Sequence, residues 1–186
     1  MPNGSAAGLL LAKSGLLPDH VAWCFGAAVT TGDAISRALD QAAAAAARGE
    51  VPVGAVVLGP DGRVLAEAGN QVEADCDAAA HAELLALRAA AARLGRPRLP
   101  ECDLVVTLEP CPMCAQAISF FRIRRLIFGA YDPKGGGVEH GARVFDAPSC
   151  HHRPEIVGGV RETDAAALLR AFFAARREGD GDADAG

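Results

Sequence analysis

The hydrophobic positions of the chain form two kinds of pattern, alanine-rich stretches with helical spacing and short apolar runs. Residues 33–48 are rich in alanine, which favours a helix, and Gly49 is placed to end it. The apolar residues 53–58 and 63–68 flank a Pro-Asp-Gly turn at residues 60–62, so they predict the two strands of a hairpin. The first part of the pattern therefore predicts a helix followed by a β-hairpin.

Helical spacing returns after a loop, and from there helices and strands alternate along the chain. Leu84, Leu87 and Leu94 recur at the spacing of a helix that opens close to His81. The remaining pattern predicts, in chain order, a buried strand at residues 104–108, a helix at 111–121, a strand at 125–130, a Gly-rich loop at 131–152, a short strand at 155–160 and a helix at 163–177. This order predicts an α/β fold in which one mixed sheet is covered by helices on both faces, a three-layer α/β/α sandwich.

Length and composition indicate one globular domain with an extension at each end. The chain has 186 residues, of which 51% are hydrophobic, enough for a single sizeable core. We expect the domain to span residues 32–177. Residues 1–31 are expected to be a disordered extension or the product of a wrongly assigned translation start, and residues 178–186 a disordered acidic tail. No apolar run approaches the ~20 residues that a membrane span needs, so no membrane partner is expected.

Cysteine usage and charge narrow the possible compartments and partners. The six cysteines do not indicate disulfides, because two of them belong to a metal motif and no convincing secretion signal is present, so we expect a cytoplasmic protein. The net charge is −5, yet residues 178–186 carry four acidic and no basic side chains, while residues 111–153 carry six basic and three acidic ones. Such a local basic face can bind phosphates inside an acidic protein, although an ordinary solvated surface has the same composition.

Three side chains have the chemistry of zinc ligands. His81, Cys111 and Cys114 supply one imidazole nitrogen and two thiolate sulfurs, which leaves one position of a tetrahedral zinc ion open for water. Glu83 stands two residues after the His and can handle the protons of that water. The combination of H-x-E with P-C-x-x-C is typical of zinc-dependent nucleobase deaminases. The alternative, a redox C-x-x-C beside an unrelated His, leaves Glu83 and Pro110 without a role.

From about residue 33 to residue 177 the chain resembles the bacterial tRNA-specific adenosine deaminases. The stretches that carry the resemblance are Val-Pro-Val-Gly-Ala-Val at 51–56, His-Ala-Glu at 81–83, Thr-Leu-Glu-Pro-Cys-Pro-Met-Cys at 107–114, Arg-Ile-Arg-Arg at 122–125, Phe-Gly-Ala at 128–130, Asp-Pro-Lys-Gly-Gly at 132–136, and Phe-Phe and Arg-Arg in the last helix. The resemblance implies a cytidine-deaminase-like sandwich, a homodimer, one catalytic zinc ion per subunit, and conversion of the wobble adenosine of a tRNA anticodon to inosine.

The resemblance also assigns a role to Asn70, and the chain departs from the family pattern in two places, one of them the loop at residues 71–76, which is unlike the usual basic and polar segment. Asn70 is similar to the family's base-contacting Asn, and an amide can both donate to and accept from a purine edge. Before the His, however, members of the family usually have Asp-Pro-Thr-Ala, whereas residues 77–80 are Asp-Ala-Ala-Ala here. Because these residues are expected at the mouth of the pocket, the departures concern the choice of substrate and the level of activity, not zinc binding.

Basic and aromatic side chains after the Cys motif favour an RNA substrate. Arg122, Arg124, Arg125 and Lys134, together with a last helix that bears Phe172, Phe173, Arg176 and Arg177, predict a rim that suits an anticodon loop. Two other functions remain open: a free-base or nucleoside deaminase of guanine or cytosine type, and a zinc-stabilised binding module without catalysis. The intact Glu83 argues against the binding module, because a structural zinc site needs no proton shuttle.

Overall fold

The structure is a computed structural model that describes the backbone of residues 27–183 and the side chains of residues 27–177. Predictions for residues 1–26 lie outside the described residues. In chain order the elements are α1 (Thr31–Ala47), β1 (Gly54–Leu58), β2 (Val64–Gly69), α2 (Ala82–Leu94), β3 (Asp103–Leu108), α3 (Pro112–Phe121), β4 (Arg125–Ala130), a 3-10 turn (Val144–Asp146), β5 (Glu155–Val157) and α4 (Glu162–Ala183).

The five strands form one mixed sheet in the order β2-β1-β3-β4-β5. β1 pairs antiparallel with β2, as the predicted hairpin requires, and its other side pairs antiparallel with β3. β3, β4 and β5 run parallel, with a helix on the chain between β3 and β4 as a parallel pair needs. The predicted central strand is therefore β3, and the carboxyl ends of the parallel strands meet at one edge of the sheet.

Side chains alternate between the two faces of the sheet, and each face packs against its own pair of helices. Val57 and Leu104 point to the face covered by α2 and α3, where the largest cluster of buried residues lies. Val56, Val105 and Ile127 point to the opposite face, which α1 covers, and α4 packs beside α1 against the end of β4. The α/β/α sandwich predicted from the sequence is confirmed.

Glycine lets α1 pack directly on the edge hairpin. A Cβ on Gly54 would lie 2.0 Å from the carbonyl oxygen of Ala38, and one on Gly69 would lie 2.6 Å from that of Gln41. Neither distance leaves room for a side chain, so these two positions keep the backbones of β1 and β2 against the helix.

The ends of several elements differ from the prediction. Thr30 caps α1 in a reciprocal capping box with Asp33, and the buried cluster under α1 includes the partly buried Val29. Residues 29–31 of the predicted extension therefore belong to the folded domain.

β5 ends at Val157, before two glycines that bring the chain against Phe128 and Tyr131. α4 continues to Ala183, so part of the tail predicted to be disordered is helical, because extending an existing helix costs far less than starting one. In the part of the chain that the structure describes, no helix is long and apolar enough to cross a membrane.

Candidate active site

The start of α2 and the start of α3 bring the three predicted zinc ligands together. His81 and Cys111 are the N-cap residues of these helices, and Cys114 lies in the first turns of α3. The Nδ1 atom of His81 lies 3.6 Å from the Cys111 Sγ and 3.5 Å from the Cys114 Sγ. Ligands bound at about 2.1 and 2.3 Å to one tetrahedral zinc ion stand about 3.6 Å apart. The donor set and its spacing therefore fit a zinc ion held by one nitrogen and two sulfurs.

The electrostatics of this cluster also favour a cation. The hydrogen bond with Cys114 is the main cause that lowers the pKa of Cys111 to about 4. The same hydrogen bond, followed by burial, raises the pKa of the Cys114 thiol, so the two sulfurs share a proton. The hydrogen bond with Cys111 raises the pKa of His81. A divalent cation held by these three atoms would take the place of that proton and stabilise both thiolates.

Glu83 is a buried carboxyl group beside the three candidate zinc ligands, His81, Cys111 and Cys114, which together are called the metal cluster below. It lies in the first turn of α2, two residues after His81, and its side chain is fully buried. Burial raises the pKa of Glu83, although its own backbone N–H and the nearby His81 oppose the shift. A carboxyl group whose pKa is raised by burial binds a proton more readily than an exposed one, which suits it to accept and return protons.

The metal cluster opens into a cavity of about 350 Å³. The residues that line it are Gly49, Glu50, Val51, Val53, Asn70, Val72, Glu73, His81, Glu83, Leu108, Glu109, Cys111, Asp132, Gly135 and Arg176. Asn70 is buried directly after β2, and its backbone N–H donates to the Val53 carbonyl at 2.9 Å. The structure thus places Asn70 on the same cavity as Glu83, His81 and Cys111.

Two of the predicted rim arginines lie elsewhere. Arg124 and Arg125 form ion pairs with the buried Asp103 at 2.9 and 2.6 Å. Asp103 opens β3, whereas the cavity lies beyond its other end at Leu108, so these arginines occupy the opposite edge of the sheet. The prediction that they border the pocket is wrong, because local spacing along the chain does not reveal that both arginines bind Asp103.

The last helix and the loop after β4 do reach the cavity. Arg176 lines it and lies over the ring of Phe172, with the guanidinium carbon 5.5 Å from the ring centroid. Asp132 shapes a turn, since its Oδ1 accepts from the backbone N–H groups of Lys134 and Gly135. At the end of α3, Phe121 packs on the core while Phe120 is 56% exposed. In the loop after β4, His140 forms a hydrogen bond with Glu109, with 2.8 Å between its Nδ1 and the Glu109 Oε2.

Two further buried carboxylates line the cavity, and neither was predicted to be a site residue. Glu50 is 1% exposed and Glu109 is 2% exposed. Their hydrogen-bond partners lie more than 20 residues away along the chain, so no local spacing could have revealed them. The only sequence signal was that Glu50 directly precedes, and Glu109 lies within, a stretch that carries the family resemblance.

Comparisons with known proteins identify a family with the same kind of zinc site. Residues 29–130 match the family described as the cytidine and deoxycytidylate deaminase zinc-binding region. The tRNA-specific adenosine deaminase of Agrobacterium fabrum is 53% identical over 143 residues, which cover 77% of this chain and 93% of that protein.

Solved structures lead to the same family. One from work on A-to-I editing by tRNA:A34 deaminases at the wobble position of transfer RNA has a TM-score of 0.72 and 52% identity, over 74% of this chain and 99% of that one. A guanine deaminase from Nitrosomonas europaea has a TM-score of 0.70 but only 25% identity, over 80% of this chain and 87% of that one. The chain therefore belongs to the cytidine and deoxycytidylate deaminase family of zinc-binding proteins, and within it to the group of the tRNA-specific adenosine deaminases.

Proposed function

We propose that the chain converts the wobble adenosine of a tRNA anticodon to inosine by hydrolytic deamination. The observation that carries the proposal is the position of the buried Glu83 beside the His81, Cys111 and Cys114 cluster, within one cavity that also contains Asn70. The 53% identity to a tRNA-specific adenosine deaminase supports the choice of substrate, since the guanine deaminase is only half as similar in sequence.

Three side chains would bind the zinc ion, and a fourth, Glu83, transfers protons during the reaction. The His81 Nδ1 and the sulfurs of Cys111 and Cys114 would hold a zinc ion, which when bound supplies a water molecule with a pKa near 7. Glu83 takes a proton from the attacking water and passes it to N1 of the adenine ring. A C–O bond then forms at C6, the C6–N6 bond breaks, and Glu83 helps to protonate the amine that leaves as ammonia.

The cavity also suits the recognition of a single unpaired base. A volume of about 350 Å³ is at the small end of ligand pockets, consistent with one nucleobase and its sugar. The Asn70 side chain would bond the purine edge, because an amide offers both a donor and an acceptor. An adenosine that is already unpaired in a loop costs little to extrude, and Arg176 at the cavity supplies a positive charge for a phosphate.

We further propose that the protein acts as a homodimer in the cytoplasm. Met113 and Phe120 on α3 are 39% and 56% exposed, and apolar side chains of this size on one helix suit burial against a second copy. The described cysteines are free thiols, as expected in a reducing compartment. Sedimentation of purified protein tests the dimer, and M113E with F120E should give a monomer.

An editing assay with two classes of substrate tests the proposed reaction. Zinc-loaded protein is incubated with an anticodon stem-loop that contains a wobble adenosine and, in parallel, with free guanine, cytosine and adenosine. We expect inosine in the stem-loop and little conversion of the small molecules. Efficient deamination of guanine or cytosine, with no editing of the stem-loop, would instead establish a free-base deaminase. Zinc binding without any conversion would indicate a binding module.

A further inference from the structure

Two loops form part of the wall of the cavity, and each is held by one buried carboxylate. The 70s loop, residues 70–80, contributes Val72 and Glu73 to the lining, and the 130s loop, residues 131–143, contributes Asp132 and Gly135. Both loops lack regular secondary structure, so their shape depends on where their backbone N–H groups find acceptors.

Glu50 holds the 70s loop with only one of its two oxygens. Its Oε1 accepts from the backbone N–H groups of Glu73 at 3.0 Å and of Ala74 at 2.9 Å. Its Oε2 has no hydrogen-bond partner among the residues that the structure describes. Glu50 directly follows Gly49, whose φ of +84° turns the chain out of α1 and into the cavity wall.

Glu109 holds the 130s loop with both of its oxygens. Its Oε1 accepts from the backbone N–H groups of Val138, Glu139 and His140 at 3.2, 2.9 and 2.9 Å. Its Oε2 accepts from the backbone N–H of Asp132 at 3.0 Å and lies 2.8 Å from the His140 Nδ1. One side chain thus ties the first residues of the loop to the last ones.

Close packing shows that the 130s loop lies directly on this carboxylate. A Cβ on Gly136 would lie 2.6 Å from both the Cδ and the Oε1 of Glu109, so no side chain fits between loop and carboxylate. The backbone N–H of Gly137 donates to the Pro110 carbonyl at 2.8 Å, which joins the loop to the residue before Cys111. The loop therefore has a fixed position relative to the metal cluster.

We propose that Glu50 and Glu109 are positioning residues that hold the 70s loop and the 130s loop in the shape that receives the RNA substrate. The inference rests on the proposed function for the identity of that substrate. Neither carboxylate takes part in the bond-breaking steps assigned to Glu83.

Because the two carboxylates are bonded differently, substitution by glutamine should have opposite effects at positions 50 and 109. In Glu50→Gln, the amide oxygen can take the place of Oε1 and the NH₂ group the place of the unpartnered Oε2, so both loop bonds are kept. In Glu109→Gln, one of the two occupied oxygens becomes an NH₂ group that faces an N–H donor, and two donors cannot bond. A role based on negative charge alone would instead make the two substitutions equivalent.

Steady-state kinetics on the anticodon stem-loop, with zinc content and melting temperature measured alongside, test this difference. For Glu50→Gln we expect kcat/KM within about threefold of wild type. For Glu50→Ala and Glu109→Gln we expect a roughly 10- to 100-fold loss, because small displacements of binding groups carry penalties of this size. The loss should appear mainly in KM, with zinc content unchanged. Glu155→Gln, an exposed carboxylate on the opposite edge of the sheet, is the control for the lost charge.

Amide hydrogen exchange gives a readout that does not depend on activity. The N–H groups of residues 73 and 74 should exchange faster in Glu50→Ala but not in Glu50→Gln, and those of residues 138–140 faster in Glu109→Gln. If Glu109→Gln does not fold, His140→Ala, which removes one of the five bonds, should give a smaller KM increase of about three- to tenfold.

Equal behaviour of the two glutamine variants, in kinetics and in exchange, would overturn the proposal. A wild-type protein that fails to edit RNA would instead refute the proposed function, and the exchange pattern would still decide whether the carboxylates hold the loops.

Discussion

Replacing Gly137 by alanine should weaken zinc binding, although residue 137 is not a ligand. Its backbone lies against the start of α3, where an added Cβ would stand 2.6 Å from the Pro112 nitrogen and 2.8 Å from the Cys111 carbonyl carbon. Ordinary contacts begin near 3.4 Å, so the loop or the helix start must move by about 0.8 Å. Bonds to zinc tolerate deviations of only about 0.2 Å, so a shift carried by Cys111 distorts the site.

The expected size of this effect follows from the cost of overpacking. Forcing an extra methyl group into a close-packed region costs about 1–3 kcal/mol. If the metal site carries this cost, the affinity for zinc falls roughly 10- to 100-fold, since about 1.4 kcal/mol corresponds to a factor of ten. Competition with a chromophoric chelator measures this affinity directly.

A second glycine provides the matched control. In Gly32→Ala, the new Cβ would lie 3.6 Å from the Thr30 Oγ1, an ordinary contact within α1. This variant should keep the zinc affinity of the wild type and gain a few tenths of a kcal/mol or more in stability, because alanine restricts the unfolded chain. If Gly137→Ala binds zinc as tightly as Gly32→Ala and the wild type, the close packing of the 130s loop on the metal site is refuted.

Further predictions concern the metal, the proton shuttle, the opposite edge of the sheet and the substrate. Cys114→Ala should lose zinc, whereas Cys102→Ala, at another buried cysteine, should keep about one zinc ion per chain by elemental analysis. Glu83→Ala should keep its zinc and RNA affinity but lose turnover by roughly 10²–10⁴-fold, and near-normal turnover would reject its role. Asp103→Asn should lower the free energy of unfolding by about 1–3 kcal/mol in urea titrations, with kcat unchanged, because its ion pairs lie away from the cavity. Affinity for the stem-loop should fall with rising salt with a log–log slope of about −0.7 per phosphate contact, and a salt-independent affinity would exclude phosphate binding.

Much of the fold follows from local pattern alone. The hairpin, the central strand and the openings of α2 and α3 are specified by short signals: the Pro-Asp-Gly turn, an apolar run, and the His and Cys that precede helical spacing. The end of β5 could not be predicted, because it depends on the packing of Gly158 against Phe128, two residues far apart along the chain.

The same distinction holds for the site: residues in short motifs could be predicted, whereas roles that depend on distant partners could not. His81, Glu83, Cys111 and Cys114 stand in two short motifs whose residue types already define the chemistry. The roles of the charged residues around them depend on partners that only the fold brings close. Asp103 binds two arginines that were predicted to face the RNA, and Glu109 accepts hydrogen bonds from a loop more than 20 residues away. Composition could count these charges but could not assign them to one edge of the sheet or the other.

Isotope labelling of the product tests the central claim most directly. Zinc-loaded protein is incubated in ¹⁸O-labelled water with an anticodon stem-loop that carries adenosine at the wobble position and at one other loop position, and the RNA is analysed by mass spectrometry after digestion. Hydrolytic deamination predicts inosine at the wobble position alone, with one ¹⁸O atom in its base and one ammonia released per inosine. Absence of inosine in the presence of zinc-loaded protein, or inosine without the heavy oxygen, would contradict the account.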